Sequence, residues 1–289
     1  MALTAKDRHP SRYVDMPSEQ VTTAFLHRYH LVIGLCIGGV IVVGVVAAMS
    51  TTSLATFFLA CIMVGLLIGI IEGLQIRKAW VEVLQVLTHD RDPQKLLEVI
   101  TPLLDRYRSR TQTITMLETW YASCSVLLGY PDVGLAWAER ASQRKPRDTF
   151  WVSILGVRTS AFHVMGDGAS LQSTCDQLER LLENNSSRPA VANAARLSLD
   201  AAEESLAEMR GDWVSAYQRI GAIDALINMP QQEVANTFRK AHVAAARGRV
   251  AEAVPLYQFV AANGGTCVYR AEAQRWLDAN GCSAEQDSR

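Results

Sequence analysis

No lysine, arginine, aspartate or glutamate occurs between Leu31 and Ile71. That absence excludes an ordinary soluble core helix, because about 20 consecutive apolar residues already cross a bilayer. The only polar cluster inside the stretch is Ser50-Thr51-Thr52-Ser53. A tight turn there divides it into two predicted membrane spans, Leu31 to Met49 and Leu54 to Ile76, joined as a hairpin. A cleaved signal peptide does not fit. Such leaders are short and their apolar cores run about 7–15 residues, whereas thirty residues precede Leu31 and a second apolar run follows at once.

Catalytic signatures are also missing. The six histidines, His9, His27, His30, His89, His163 and His242, show no metal-ligand spacing. The cysteines Cys36, Cys61, Cys124, Cys175, Cys267 and Cys282 form no CxxC pair, and free thiols of a reducing compartment are expected. Gly166-Asp167-Gly168 has no strand before it, as a phosphate loop requires, and no serine or cysteine stands in a nucleophile elbow. No catalytic, cofactor or metal site is therefore predicted, and the chain is not expected to be an enzyme. His89-Asp90-Arg91-Asp92 is the densest polar cluster and fits a solvated helix cap. Arg77 to Arg289 carries 24 basic and 25 acidic residues, so no long-range positive field and no nucleic-acid partner are expected.

What is present begins with basic flanks. Lys6, Arg8, Arg12 and Arg28 precede the first span, and Arg77 and Lys78 follow the second. The positive-inside rule puts both flanks, and hence both termini, in the cytosol of what is expected to be a bacterial inner membrane. Glu72, the one acid in the apolar region, lies one turn before Arg77 and is expected to reach interfacial water. Gly65, Gly69 and Gly73, with Gly34 and Gly38 on the first span, recur every four residues. Such spacing makes a groove for helix packing, either between the two spans or with a partner helix.

The rest reads as helix. Trp80, Val83, Leu84 and Leu87 continue the second span as an amphipathic stretch, and Asp92-Pro93 opens another helix, with Pro102 as an expected kink. Asn184-Asn185-Ser186-Ser187 reads as a helix end and loop. Beyond Thr113, Gly129, Gly166, Gly211 and Gly248 recur at separations of 37, 45 and 37 residues, in or near the range of helical-hairpin repeats. Each ends one helix and permits the turn into the next.

These units resemble tetratricopeptide (TPR) repeats. In Thr115 to Asp148, Gly129 matches the turn position, Gly134 and Ala141 the close-contact positions, and Pro146 the terminal one. In Leu197 to Pro230, Gly211-Asp212-Trp213 and Ala216 match; in Val234 to Cys267, Gly248, Ala253 and Tyr257 do. The unit around Trp151 fits only with an insertion before Gly166, and Pro255 departs from the family pattern. The apolar hairpin and the resemblance together imply an all-α chain with five parts. A basic cytosolic tail (1–30) and a two-span transmembrane hairpin (31–76) lead into juxtamembrane helices (77–112). A TPR-like α-solenoid (113–280) and a polar tail (281–289) follow. It implies protein binding on a concave face lined by the first helix of each unit, with Glu118 and Arg239 as candidate groove residues. The order of parts is similar to the PelE subunits of Pel exopolysaccharide secretion, and less closely to the HemY family, whose members begin almost directly at their first span. A membrane-anchored adaptor that helps assemble a membrane complex is the expected function. A structural or regulatory subunit of a membrane enzyme or transport complex, gripping through its glycine faces, is the alternative.

Overall fold

The computed structural model describes residues 9–50 and 54–282, and every regular element among them is an α-helix. The chain divides into two compact units, one over Ser11–Gln85 and one from Val86 onward. The boundary falls inside the stretch expected to be juxtamembrane. The proposed turn at Thr51 to Ser53 and most of the polar tail lie outside the described residues.

The first unit holds α1 (Ser18–Ser50) and most of α2 (Leu54–Thr88). The helix of α1 starts well before Leu31, because Val21, Phe25 and Tyr29 recur one turn apart and bury one face. That face meets Trp80, with the Phe25 and Trp80 ring centroids 4.4 Å apart, while Val83 and Ala79 are buried beside it. Glu82 accepts from Arg12 at 3.2 Å and from Arg28 at 2.5 Å. So part of the expected tail is a packed element. Beyond Tyr29 the pattern inverts: Leu35 is 68% exposed, Met49 85% and Leu74 60%. Among the described residues one helix, over Ser18–Val46, is long and apolar enough to cross a membrane, and only 6% of its apolar window is buried. A soluble core helix of that composition would be mostly covered.

The second unit contains α3 (Pro93–Arg106), α4 (Thr111–Leu127), α5 (Pro131–Ser142), α6 (Asp148–Met165) and α7 (Gly168–Asn184). After these come α8 (Pro189–Met209), α9 (Trp213–Asp224), α10 (Pro230–Ala246), α11 (Val250–Asn263) and α12 (Val268–Ala279). Each packs on the next, and α4 also meets α6, α6 meets α8, and α10 meets α12. The interior is a relay of clusters, each drawn from three successive helices. Ala122, Ala138 and Ile154 join α4, α5 and α6; Leu155, Leu178 and Leu199 join α6, α7 and α8. Ala207, Ile220 and Val243 join α8, α9 and α10, and Ala241, Tyr257 and Leu277 join α10, α11 and α12.

Asp92 caps α3 by accepting from the Lys95 amide at 3.0 Å, and α3 and α11 run on through Pro102 and Pro255. Asn185 ends α7, its side-chain amide donating to the Leu181 carbonyl. The wide spacing between Gly166 and Gly211 comes from helix length, since α7 has 17 residues and α8 has 21, against 12 in α5 and α9.

The ends of this unit meet. The Thr266 amide donates to the Arg91 carbonyl at 3.1 Å, and its hydroxyl donates to Asp92 at 2.8 Å. Gly265, at φ +58°, lies so close that a Cβ there would overlap the Arg91 carbonyl. Val268, at the start of α12, packs over Gly129 at the end of α4. This clasp turns α12 toward α4.

Candidate functional site

A cavity of about 390 Å³ opens between α4, α6, α8, α10 and α12, and the odd-numbered helices contribute nothing to its lining. The first helix of every pair faces inward, and the clasp adds α12. Phe238 and Tyr269, 5.0 Å apart between ring centroids, form an aromatic wall beside Val164 and Val268.

Its polar side is a charged cluster. Glu208 on α8 lies between two histidines: His242 Nε2 is 2.7 Å from one carboxylate oxygen, and His163 Nε2 is 3.6 Å from the other. One turn earlier on the same helix, Glu204 is fully buried with the Arg239 guanidinium 3.4 Å away. Glu272 on α12 completes the lining. Helical spacing places these groups together, because Glu204 and Glu208 are four residues apart and Arg239 and His242 three.

The titration behaviour follows from burial and pairing. Burial pushes the Glu204 carboxyl up to about 7 against the opposing field of Arg239. Burial also acts to raise Glu208, but the His242 hydrogen bond and the nearby cationic groups outweigh it and hold its pKa below the usual range. The same hydrogen bond raises His242, whereas desolvation lowers His163. Glu272 is raised by burial. A proton is therefore favoured on His242 beside an ionised Glu208. The Ser160 hydroxyl donates to the Gly156 carbonyl at 3.2 Å. The arrangement holds protons on buried side chains. Among the described residues no group of three or more His, Cys, Asp or Glu side chains is placed to hold a metal ion.

The residues singled out in the sequence take several places. Gly129, Gly211 and Gly248 end α4, α8 and α10 at φ of 88°, 71° and 73°. Ala141, Ala216 and Ala253 are fully buried and Tyr257 nearly so. Gly134 lets α5 touch α4, since a Cβ there would overlap Val126 and stand 3.0 Å from the Ala122 carbonyl oxygen. Arg239 lines the cavity. Glu118 does not: it is fully buried and held by Arg140 at 2.7 Å and by Arg144 at 2.6 and 2.9 Å. Arg140 and Arg144 thus tie α5 and its C-terminal flank to α4. Around Gly34, Gly38, Gly65, Gly69 and Gly73 no described atom lies within 4 Å of where a Cβ would stand. The Glu72 side chain lies outside the described residues. Cys124, Cys175 and Cys267 are buried free thiols, and burial raises Cys267 to about 12.

Glu204, Glu208, His163, His242 and Glu272 were not singled out by sequence reasoning. The signal was the carboxylate pair at spacing four within the Ala- and Leu-rich run of α8, where a core stripe carries charge. No family model, curated protein or solved structure matches the chain.

Proposed function

We propose that this chain is a non-enzymatic adaptor, anchored in a bacterial inner membrane by a two-helix hairpin with both termini cytosolic. Its TPR-like solenoid binds a protein partner and helps to assemble a membrane complex, with polysaccharide secretion as one setting. The observation that carries this reading is the convergence of every second helix, α4, α6, α8, α10 and α12, on a single cavity. Repeat scaffolds present their first helices to partners in this way. The exposed apolar length of α1 supports the anchor.

Affinity purification of the full chain in mild detergent tests it, beside Arg239→Glu and beside the chain lacking residues 1–76. Partners kept without the first 76 residues and lost with Arg239→Glu at an unchanged thermal midpoint support the adaptor. Partners unaffected by Arg239→Glu and kept only with the spans transfer the binding to the membrane helices. That second reading, a structural or regulatory subunit, is favoured by the open surroundings of the five glycines among the described residues. Small-residue faces promote close helix approach in lipid.

A further inference from the structure

We propose that a groove on the first unit binds the headgroup of an anionic phospholipid, with its phosphate among Arg12, Arg77 and Lys78 and an acyl chain along Leu74. The groove encloses about 570 Å³ between Arg12 and one face of α2 that carries Leu74, Arg77, Lys78 and Val81. Its charges select an anion. Glu82 is the only carboxylate among the described residues of the lining, and it already accepts from Arg12 and from Arg28. Arg77 and Lys78 are exposed and have no carboxylate partner among the described residues. Three cations of the lining thus face one carboxylate, which Arg28 shares from outside it. A free ammonium would be repelled there, and a choline headgroup would bring its own cation into the groove. A phosphate accepts charge-assisted hydrogen bonds from guanidinium and ammonium alike.

A second observation points to lipid as the source of that phosphate. Leu66, Ile70 and Leu74 recur every four residues on α2, each 60% exposed, and Lys78 continues the row. Residues so spaced share one helix face, so an uncovered apolar row runs straight into the groove. A soluble anion has no use for such a wall, whereas an acyl chain covers it. Arg12 reaches the groove from a separate segment. Ser11 and Tyr13 on either side of it are buried, and its guanidinium lies 5.3 Å from the centre of the Tyr13 ring. The turn before α1 therefore holds Arg12 over α2. Positive flanks that only set topology need to lie on one side of the membrane, without converging on one groove.

This inference rests on the reading of the first unit as a membrane anchor. The full chain in nonionic detergent micelles is titrated with phosphatidylglycerol and with phosphatidylcholine of identical chains. One-to-one adducts are measured by native mass spectrometry. Phosphatidylglycerol should be held about tenfold more tightly or better, as the charge of the lining implies. The double variant Arg77→Gln, Lys78→Gln should weaken it about thirtyfold and Arg12→Gln about fivefold, with the thermal midpoint of the double variant unchanged. Arg180→Gln with Arg196→Gln, which removes two exposed cations of the second unit, should leave it as it is. Equal retention of the two lipids overturns the proposal. So does a loss of equal size in the Arg180 and Arg196 variant, which marks bulk charge, or an affinity unmoved by Arg12→Gln, which marks a plain basic flank. Displacement of phosphatidylglycerol by an equal concentration of glycerol phosphate overturns the lipid assignment in favour of a soluble anion. The anchor reading fails separately, by release of the full chain from cell membranes in alkaline carbonate.

Discussion

Gly134 is where a single atom decides the approach of two helices, because its missing Cβ is filled by Val126 and the Ala122 carbonyl of α4. Gly134→Leu should lower stability by about 1–3 kcal/mol, the usual cost of overpacking a closed contact, measured by thermal or urea unfolding in micelles. Glu118 makes the opposite case. Sequence position on the first helix of a unit suggests a groove residue whose charge could be reversed harmlessly. With the carboxylate fully buried between Arg140 and Arg144, Glu118→Lys should instead destabilise by about 3–5 kcal/mol, as breaking a buried pair does. Glu204 carries a pH signature. Its carboxyl titrates at 4.5 when unfolded and at about 7 when folded. Between those values the folded chain holds a proton that the unfolded chain has released, so stability falls as pH rises through the window. Glu204→Gln removes that slope. The variant should gain on the parent from the acid side of the window to the alkaline side, by on the order of 1–3 kcal/mol, read from paired unfolding curves. An unchanged difference would show that Glu204 is charged throughout.

The helices themselves were legible where periodicity and punctuation agree. Asp92-Pro93 announces α3, and Gly129, Gly211 and Gly248 mark ends that require positive φ. Two elements were misjudged for physical reasons. The first turns of α1 read as a basic tail by charge, but Val21, Phe25 and Tyr29 lie one turn apart among those charges and are buried, with Phe25 against Trp80 of α2. No insertion precedes Gly166, where α6 runs unbroken over Asp148–Met165; the irregular spacing lies after it, in the lengthening of α7 and α8, which a fixed repeat length hides. The clasp between Thr266 and Asp92 was not legible, because it joins residues 174 positions apart through a loop. It makes its own prediction. Asp92→Ala loses both the cap of α3 and the Thr266 hydroxyl, and should cost about 0.5–2 kcal/mol. Thr266→Val should cost less, and the double variant should fall short of the sum, because the two changes remove the same bond.

For the whole molecule, charge and apolarity are distributed unevenly between the two units. The unit from Val86 onward satisfies itself through a relay of small clusters, whereas α1 past Tyr29 leaves its large apolar side chains uncovered. Water penalises such exposure at roughly 25 cal/mol per Å², so the exposed belt calls for lipid. In the proposed anchor the basic residues at its base set the direction. Arg12 and Arg28 share Glu82 at the packed foot of α1, and Arg77 and Lys78 lie exposed at the same level of α2. Moving that foot across the membrane would carry several cations through hydrocarbon, each costing about 2.5–3.5 kcal/mol at the bilayer centre. Both termini should therefore stay on the cytosolic side. In a cysteine-free background, reporters at position 10, at Thr52 and at position 285 are labelled with an impermeant maleimide on intact cells. Only Thr52 should react until the cells are opened, when the other two follow. Labelling of position 285 before lysis would place the helical unit, and the cavity between its inward helices, outside the cytosol. Its partner would then have to be sought there, and the reduced state of Cys124, Cys175 and Cys267 would need a new cause.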